Sequence, residues 1–103
     1  MSLNYLADGN EKTIELKGRK IVIKKFSYAQ QKELTKLAEA GNQMESMDKF
    51  LLYSIASWDL VSASGDALPV NAETLNGLAG DFVTELIKFA TALNVVTVDE
   101  VKN

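Results

Sequence analysis

Thr13-Ile14-Glu15-Leu16-Lys17-Gly18-Arg19-Lys20-Ile21-Val22-Ile23-Lys24 alternates aliphatic and polar residues on either side of a glycine-containing turn, and its reading decides the fold. Alternation has the period of a half-buried strand, because successive side chains leave opposite faces. Gly18-Arg19 is a two-residue loop of the Gly-X kind that type II′ turns favour, so the stretch predicts an antiparallel β-hairpin over 13–24. Pairing Lys17 with Lys20 sets Leu16 opposite Ile21 and Ile14 opposite Ile23. All four then share one face, and Thr13, Glu15 and Lys24 take the other. A one-residue slip would destroy that segregation. Upstream, Asp8-Gly9 reads as a type I′ turn that would bring Leu3 opposite Ile14 and extend the hairpin to three strands.

Downstream the period changes from two to 3.6. Ser27 with Gln30 forms a capping box before a helix over 28–40, and Gly41 follows it as a terminator. Asn42 with Glu45 caps a second helix over 43–58, apolar around most of its circumference: Met44, Met47, Phe50, Leu51, Leu52, Tyr53, Ile55, Ala56 and Trp58. A helix so apolar belongs in a core, or in a core plus an interface. Residues 59–69 hold Ser62, Ser64, Gly65 and the only proline, and read as a loop. Asn71 caps a short helix over 72–79 that Gly80 ends. Asp81 caps a last helix over 82–94, with Phe82, Val83, Leu86, Ile87, Phe89, Ala90 and Leu93 at spacings of three and four. Residues 95–103 form a short tail. The expected fold is α+β: an N-terminal antiparallel β-hairpin, of three strands if the Asp8-Gly9 turn forms, packed on a bundle of three to four helices. The expected core is Ile14, Leu16, Ile21, Ile23, Leu51, Ile55, Trp58, Leu86 and Phe89.

At 103 residues the chain has length for one hydrophobic core, so 1–103 reads as a single domain. There is no cysteine and no histidine. That removes thiolate nucleophiles, cysteine-ligated metals, the commonest general base and the commonest transition-metal ligand. No phosphate-binding glycine loop, nucleophile elbow or calcium-loop spacing occurs. Glu33 with Lys36 and Glu85 with Lys88 stand at i, i+3 and read as solvated surface pairs. The expectation is a protein that is no enzyme and needs no cofactor or metal. The apolar run Phe50–Trp58 is far short of the roughly 20 residues of a membrane span, and no signal peptide is evident. A cytoplasmic protein is expected, with no membrane partner.

Charge is uneven. Residues 1–36 hold eight Lys and Arg against four acids, and residues 37–103 hold three against ten. The lysines of the hairpin could contact phosphates, but no aromatic residue interleaves them and the overall pI is about 4.9, so nucleic acid is disfavoured. A solvated strand face that discourages edge pairing is the commoner use of such charge. Docking on an acidic partner, another copy included, is the alternative. Met44 and Met47 fill core gaps in the ordinary case and give adaptable binding surfaces in the other. The candidate partner-binding residues are therefore Met44, Met47, Phe50, Lys20, Lys24 and Lys25.

Two stretches carry a family resemblance. Trp58-Asp59-Leu60 leads through Ser64-Gly65-Asp66 to Leu68-Pro69-Val70, then to a capped short helix ending near Leu78 and a final apolar helix. Gly18-Arg19-Lys20-Ile21-Val22-Ile23-Lys24 runs into Ser27 and a Gln/Glu/Leu-rich helix. Over residues 12–94 this resembles the tail assembly chaperones of long-tailed bacteriophages and prophages, although Gly77, Ala79 and Gly80 surround Leu78 where that family more often has a Leu-Pro step. The resemblance implies a protein of the bacterial host cytoplasm that coats the tape-measure protein and keeps it soluble until tail-tube subunits polymerise. Its implied partners are the tape-measure protein and the tail-tube protein, with self-association open. The alternatives are a structural tail component kept in the virion, such as a completion or tube-capping protein, and a nucleic-acid binder with a basic hairpin.

Overall fold

In the computed structural model, which describes residues 10–94, the alternating stretch forms β1 (Glu11–Leu16) and β2 (Arg19–Lys24). The turn between them is Lys17-Gly18, not Gly18-Arg19. Both residues have positive φ, +50° and +80°, the signature of a type I′ turn, whose twist matches that of the strands it joins. Leu16 therefore faces Arg19, Ile14 faces Ile21 and Lys12 faces Ile23, an offset of two residues from the expected pairing. An even offset preserves the faces. Ile14, Leu16, Ile21 and Ile23 all lie against the core, with Ile21 and Ile23 almost wholly buried. The expected pairing of Leu3 with Ile14 lies outside the described residues.

The sheet's third strand is β3 (Ile55–Trp58), in the order β1-β2-β3. These four residues were expected to finish the second helix. That helix, α2 (Gln43–Ser54), stops earlier, and Ile55 is already extended at φ −102°, ψ 116°. Ile55 and Trp58 are weaker helix formers than the Leu-rich turn before them and favour a pleated surface. In strand form they pair Ile23 with Ile55, Val22 with Ser57 and Ile21 with Trp58, across an irregularity between Val22 and Ile23. Lys20 continues the ladder: its N–H donates to Asp59 Oδ1, and its carbonyl accepts from Asp59 N–H. β2, paired on both sides, carries the most deeply buried residues of the sheet.

The first helix, α1 (Tyr28–Glu39), has its complete capping box: Gln30 N–H donates to Ser27 Oγ and Ser27 N–H to Gln30 Oε1. At its end Gly41, with φ +87°, donates to the Ala38 carbonyl, and Asn42 N–H donates to the Leu37 carbonyl. This is a Schellman closure, in which only glycine takes the left-handed position without strain. It occupies Asn42, whose φ −93° and ψ 56° are not those of an N-cap, and the Asn42 side chain makes no cap bond to α2. Ser46 Oγ instead donates to the Leu34 carbonyl and ties α2 to α1.

Leu60 to Leu68 folds back on itself through a bridge between Val61 and Ala67, and Trp58 Nε1 donates to the Leu68 carbonyl at 2.7 Å. The third helix, α3 (Ala72–Gly77), is capped by Asn71, whose Oδ1 accepts from Thr74 N–H. The fourth, α4 (Gly80–Asn94), starts two residues earlier than expected. Leu78 is extended (ψ 154°) and closes α3 by a bond to the Leu75 carbonyl, so Gly80 opens α4 instead of ending α3. Asp81 lies within the first turn instead of capping it. Its carboxylate accepts from Phe82 N–H and from Lys17 Nζ.

Leu51, Ile55 and Leu86 are buried with the four hairpin aliphatics. Leu34, Leu60, Leu75, Phe82 and Ala90 are buried as well, though the sequence reading did not place them in its core. Trp58 and Phe89 are half-buried and pack against the cluster's margin. One polar knot closes the structure beside it. Asn94 Nδ2 donates to the Lys24 carbonyl, the Ala90 carbonyl and Ser54 Oγ, while its Oδ1 accepts from Phe26 N–H.

Candidate protein-binding groove

α1 and α2 are braced on one side by Glu33, whose carboxylate accepts from Lys49 Nζ and Tyr53 Oη, each at 2.7 Å. Lys36, its expected partner, is displaced by these two. Hydrogen bonds from Lys49 and then Tyr53 hold the Glu33 carboxyl below the ordinary carboxylate value. The same bonds push the Lys49 ammonium and the Tyr53 phenol upward.

With that brace closing one side, the opposite side of the helix pair opens into a groove of about 410 Å3. Leu34 and Ala38 line it from α1, Gln43, Ser46, Met47 and Phe50 from α2, and Thr91 from α4. Among the described residues no charged side chain lines it. Phe50 is held from below by Phe26, ring edge to ring face, with centroids 5.7 Å apart and planes at 73°. Met47 is 42% exposed, and Met44, one turn earlier, is 80% exposed. Neither methionine is therefore buried in the core, contrary to the core-filling reading.

Lys20, Lys24 and Lys25 do not join this groove. Lys20 and Lys24 stand on the outer face of the sheet, opposite Glu15 and Glu11 in the register. Lys25 follows β2, with its N–H on the Asn10 carbonyl. Lys17 pairs with Asp81 at 2.9 Å. What reads as a basic cluster along the chain is spread in space over the turn, the outer face of the sheet and the end of β2. Leu34, Ala38 and Thr91 were absent from the sequence-based site. The i, i+4 pair on α1 was a usable signal, but the approach of Thr91 depends on how α4 crosses α2, which no local pattern encodes.

Among the described residues no group of acidic side chains is gathered to hold a metal ion, and no helix is long and apolar enough to cross a membrane. Comparison with models of protein families, with curated proteins and with solved structures finds no match in any of the three. The labels bacteriophage, prophage, tail assembly, chaperone and cytoplasmic, which the resemblance attached to the chain, are corrected accordingly: no match supports them. What stands is an α+β fold that has, among the described residues, a three-stranded antiparallel sheet packed against four helices.

Proposed function

We propose that this domain is a non-catalytic binding module that holds an apolar, helix-forming segment of a much larger partner protein and keeps it soluble. The observation that carries the reading is the uncharged groove between α1, α2 and α4, with Met47 on its wall and Met44 beyond it. An amphipathic helix laid in such a groove buries anchors at i, i+3 and i+4. Methionine's unbranched, polarisable side chain adapts to anchors of different shape, which suits a partner bound at several places along its length. The partner implied by the resemblance over residues 12–94, a long tape-measure protein, has this character. Burial of apolar surface, at roughly 25 cal/mol per Å2 before ordering costs, drives such binding, so moderate salt weakens it little.

The test is co-expression with a long, helix-rich protein of the tape-measure kind, followed by fractionation. The expected result is a soluble complex that survives purification at low and moderate salt and is lost with Met47→Asp. If the partner is equally insoluble with and without this protein, the reading is wrong.

A further inference from the structure

A second apolar surface lies on the other side of α4. Phe82 and Thr91 are nine residues apart, roughly 13 Å along the helix axis and half a turn around it, so the space that Phe82 lines faces away from the groove. That space, about 200 Å3, is bounded by Leu60, Val61, Leu68 and Leu78, with Lys17 and Arg19 at its edge. Leu68 and Leu78 also line a hollow of about 420 Å3 against α3, with Glu73 in its lining, so the two spaces have these leucines as a common floor and together are called the trough. The floor is fixed: the Leu68 carbonyl accepts from Trp58 Nε1, and Leu68 N–H donates to the Leu60 carbonyl at 3.0 Å. Val61, at its rim, is 38% exposed.

The charge at this edge is unbalanced. Lys17 is engaged by Asp81, whereas Arg19 makes no ion pair among the described residues, and no carboxylate lines the smaller space. We propose that the trough is a second protein-docking site, for an extended segment that carries a carboxylate two positions before an aliphatic side chain, so that both leave the same face. The aliphatic side chain enters between Val61, Leu68 and Leu78, and the carboxylate meets the Arg19 guanidinium, whose planar fork suits a carboxylate's two oxygens. A second aliphatic residue two positions on, about 7 Å away in an extended chain, reaches the hollow against α3. This site stands whatever occupies the groove, and together the two surfaces let the domain bridge two protein segments.

The test uses the full chain, labelled with 15N, and two synthetic peptides: acetyl-Gly-Asp-Ser-Leu-Ser-Leu-Gly-amide and its counterpart with Asn for Asp. The Asp peptide is expected to shift the amides of Arg19, Val61 and Leu78 saturably, and the Asn peptide to bind about tenfold more weakly. Arg19→Glu, with an unchanged melting temperature, should weaken the Asp peptide by at least the same factor. Val61→Asp, a second exposed position, should also weaken it. The proposal is overturned if millimolar Asp peptide leaves those amides unmoved, if the two peptides bind equally, or if Arg19→Glu binds as wild type does. A single-stranded oligonucleotide that shifts the same amides more strongly than the Asp peptide would overturn it in favour of nucleic acid.

Discussion

Replacing Asn94 with alanine tests how α4 is locked to the rest of the domain. The carboxamide joins three elements: its oxygen accepts from Phe26 N–H at 3.0 Å, and its nitrogen donates to the Lys24 carbonyl at 3.2 Å and to Ser54 Oγ at 3.3 Å. Ser54 is fully buried and keeps its own bond to the Phe50 carbonyl, so it is not orphaned. Phe26 N–H and the Lys24 carbonyl do lose their partner. A buried polar group without a partner costs about 1–3 kcal/mol. Both groups here are half-buried, so water compensates in part and the low end applies to each. The expected loss is about 2–3 kcal/mol, a large share of the roughly 5–15 kcal/mol of a typical domain. For a chain of this size that is a fall in melting temperature of about 10–20 °C. Thermal denaturation followed by circular dichroism reads it, with Asn76→Ala, exposed on α3, as a control that should stay within about 0.5 kcal/mol of wild type. An Asn94→Ala variant that melts within about 2 °C of wild type would refute the reasoning.

Trp58→Ala should cost about 3 kcal/mol, the lower part of the usual aromatic range because Trp58 is only half-buried, and Trp58→Phe about 1 kcal/mol for the lost bond to Leu68; urea titration distinguishes them. Lys17→Asn should stabilise the fold by about 0.5–1 kcal/mol, since asparagine tolerates the positive φ better and the exposed ion pair to Asp81 adds little; an unchanged or lower melting temperature would count against the type I′ turn. The Glu33 carboxyl, held below its ordinary value of 4.5 by Lys49 and Tyr53, stabilises the fold fully above that value and loses its contribution as pH falls through the lower, folded-state value. Glu33→Gln should therefore be less stable than wild type at neutral pH, and the gap should close in acid. A gap that stays constant down to the acid limit would exclude the linkage.

The sequence carried the hairpin's faces more securely than its register. Ile14, Leu16, Ile21 and Ile23 share a face in any pairing offset by an even number of residues, so alternation alone could not separate a Gly18-Arg19 turn from a Lys17-Gly18 turn. Capping chemistry was legible where the motif is local, as with Ser27, Gln30 and Gly41. It misled at Asn42, whose backbone (φ −93°, ψ 56°) does not take the extended form from which a side chain caps a helix. β3 was hidden for a different reason: Ile55 to Trp58 continues the apolar pattern of α2, and only pairing with β2, more than thirty residues away, extends it. In the candidate site Met44, Met47 and Phe50 were legible as an apolar stripe longer than its own core needs. The separation of Lys20, Lys24 and Lys25 from that stripe was not, because strand lysines and helix methionines are brought together or kept apart only by the packing of sheet on helices.

The occupant of the groove can be read directly from the methionine methyl groups. The chain has three methionines, so a spectrum of the protein labelled at methionine 13C-methyl positions is sparse enough to assign by substitution. Titration with an apolar, helix-forming peptide of the kind proposed as the groove's occupant should move and broaden the Met44 and Met47 signals together, at low and at moderate salt, with saturation at a common ratio. Signals that stay in place while the peptide binds would show that it docks elsewhere on the molecule, and would contradict the assignment of the α1–α2–α4 groove as the binding surface.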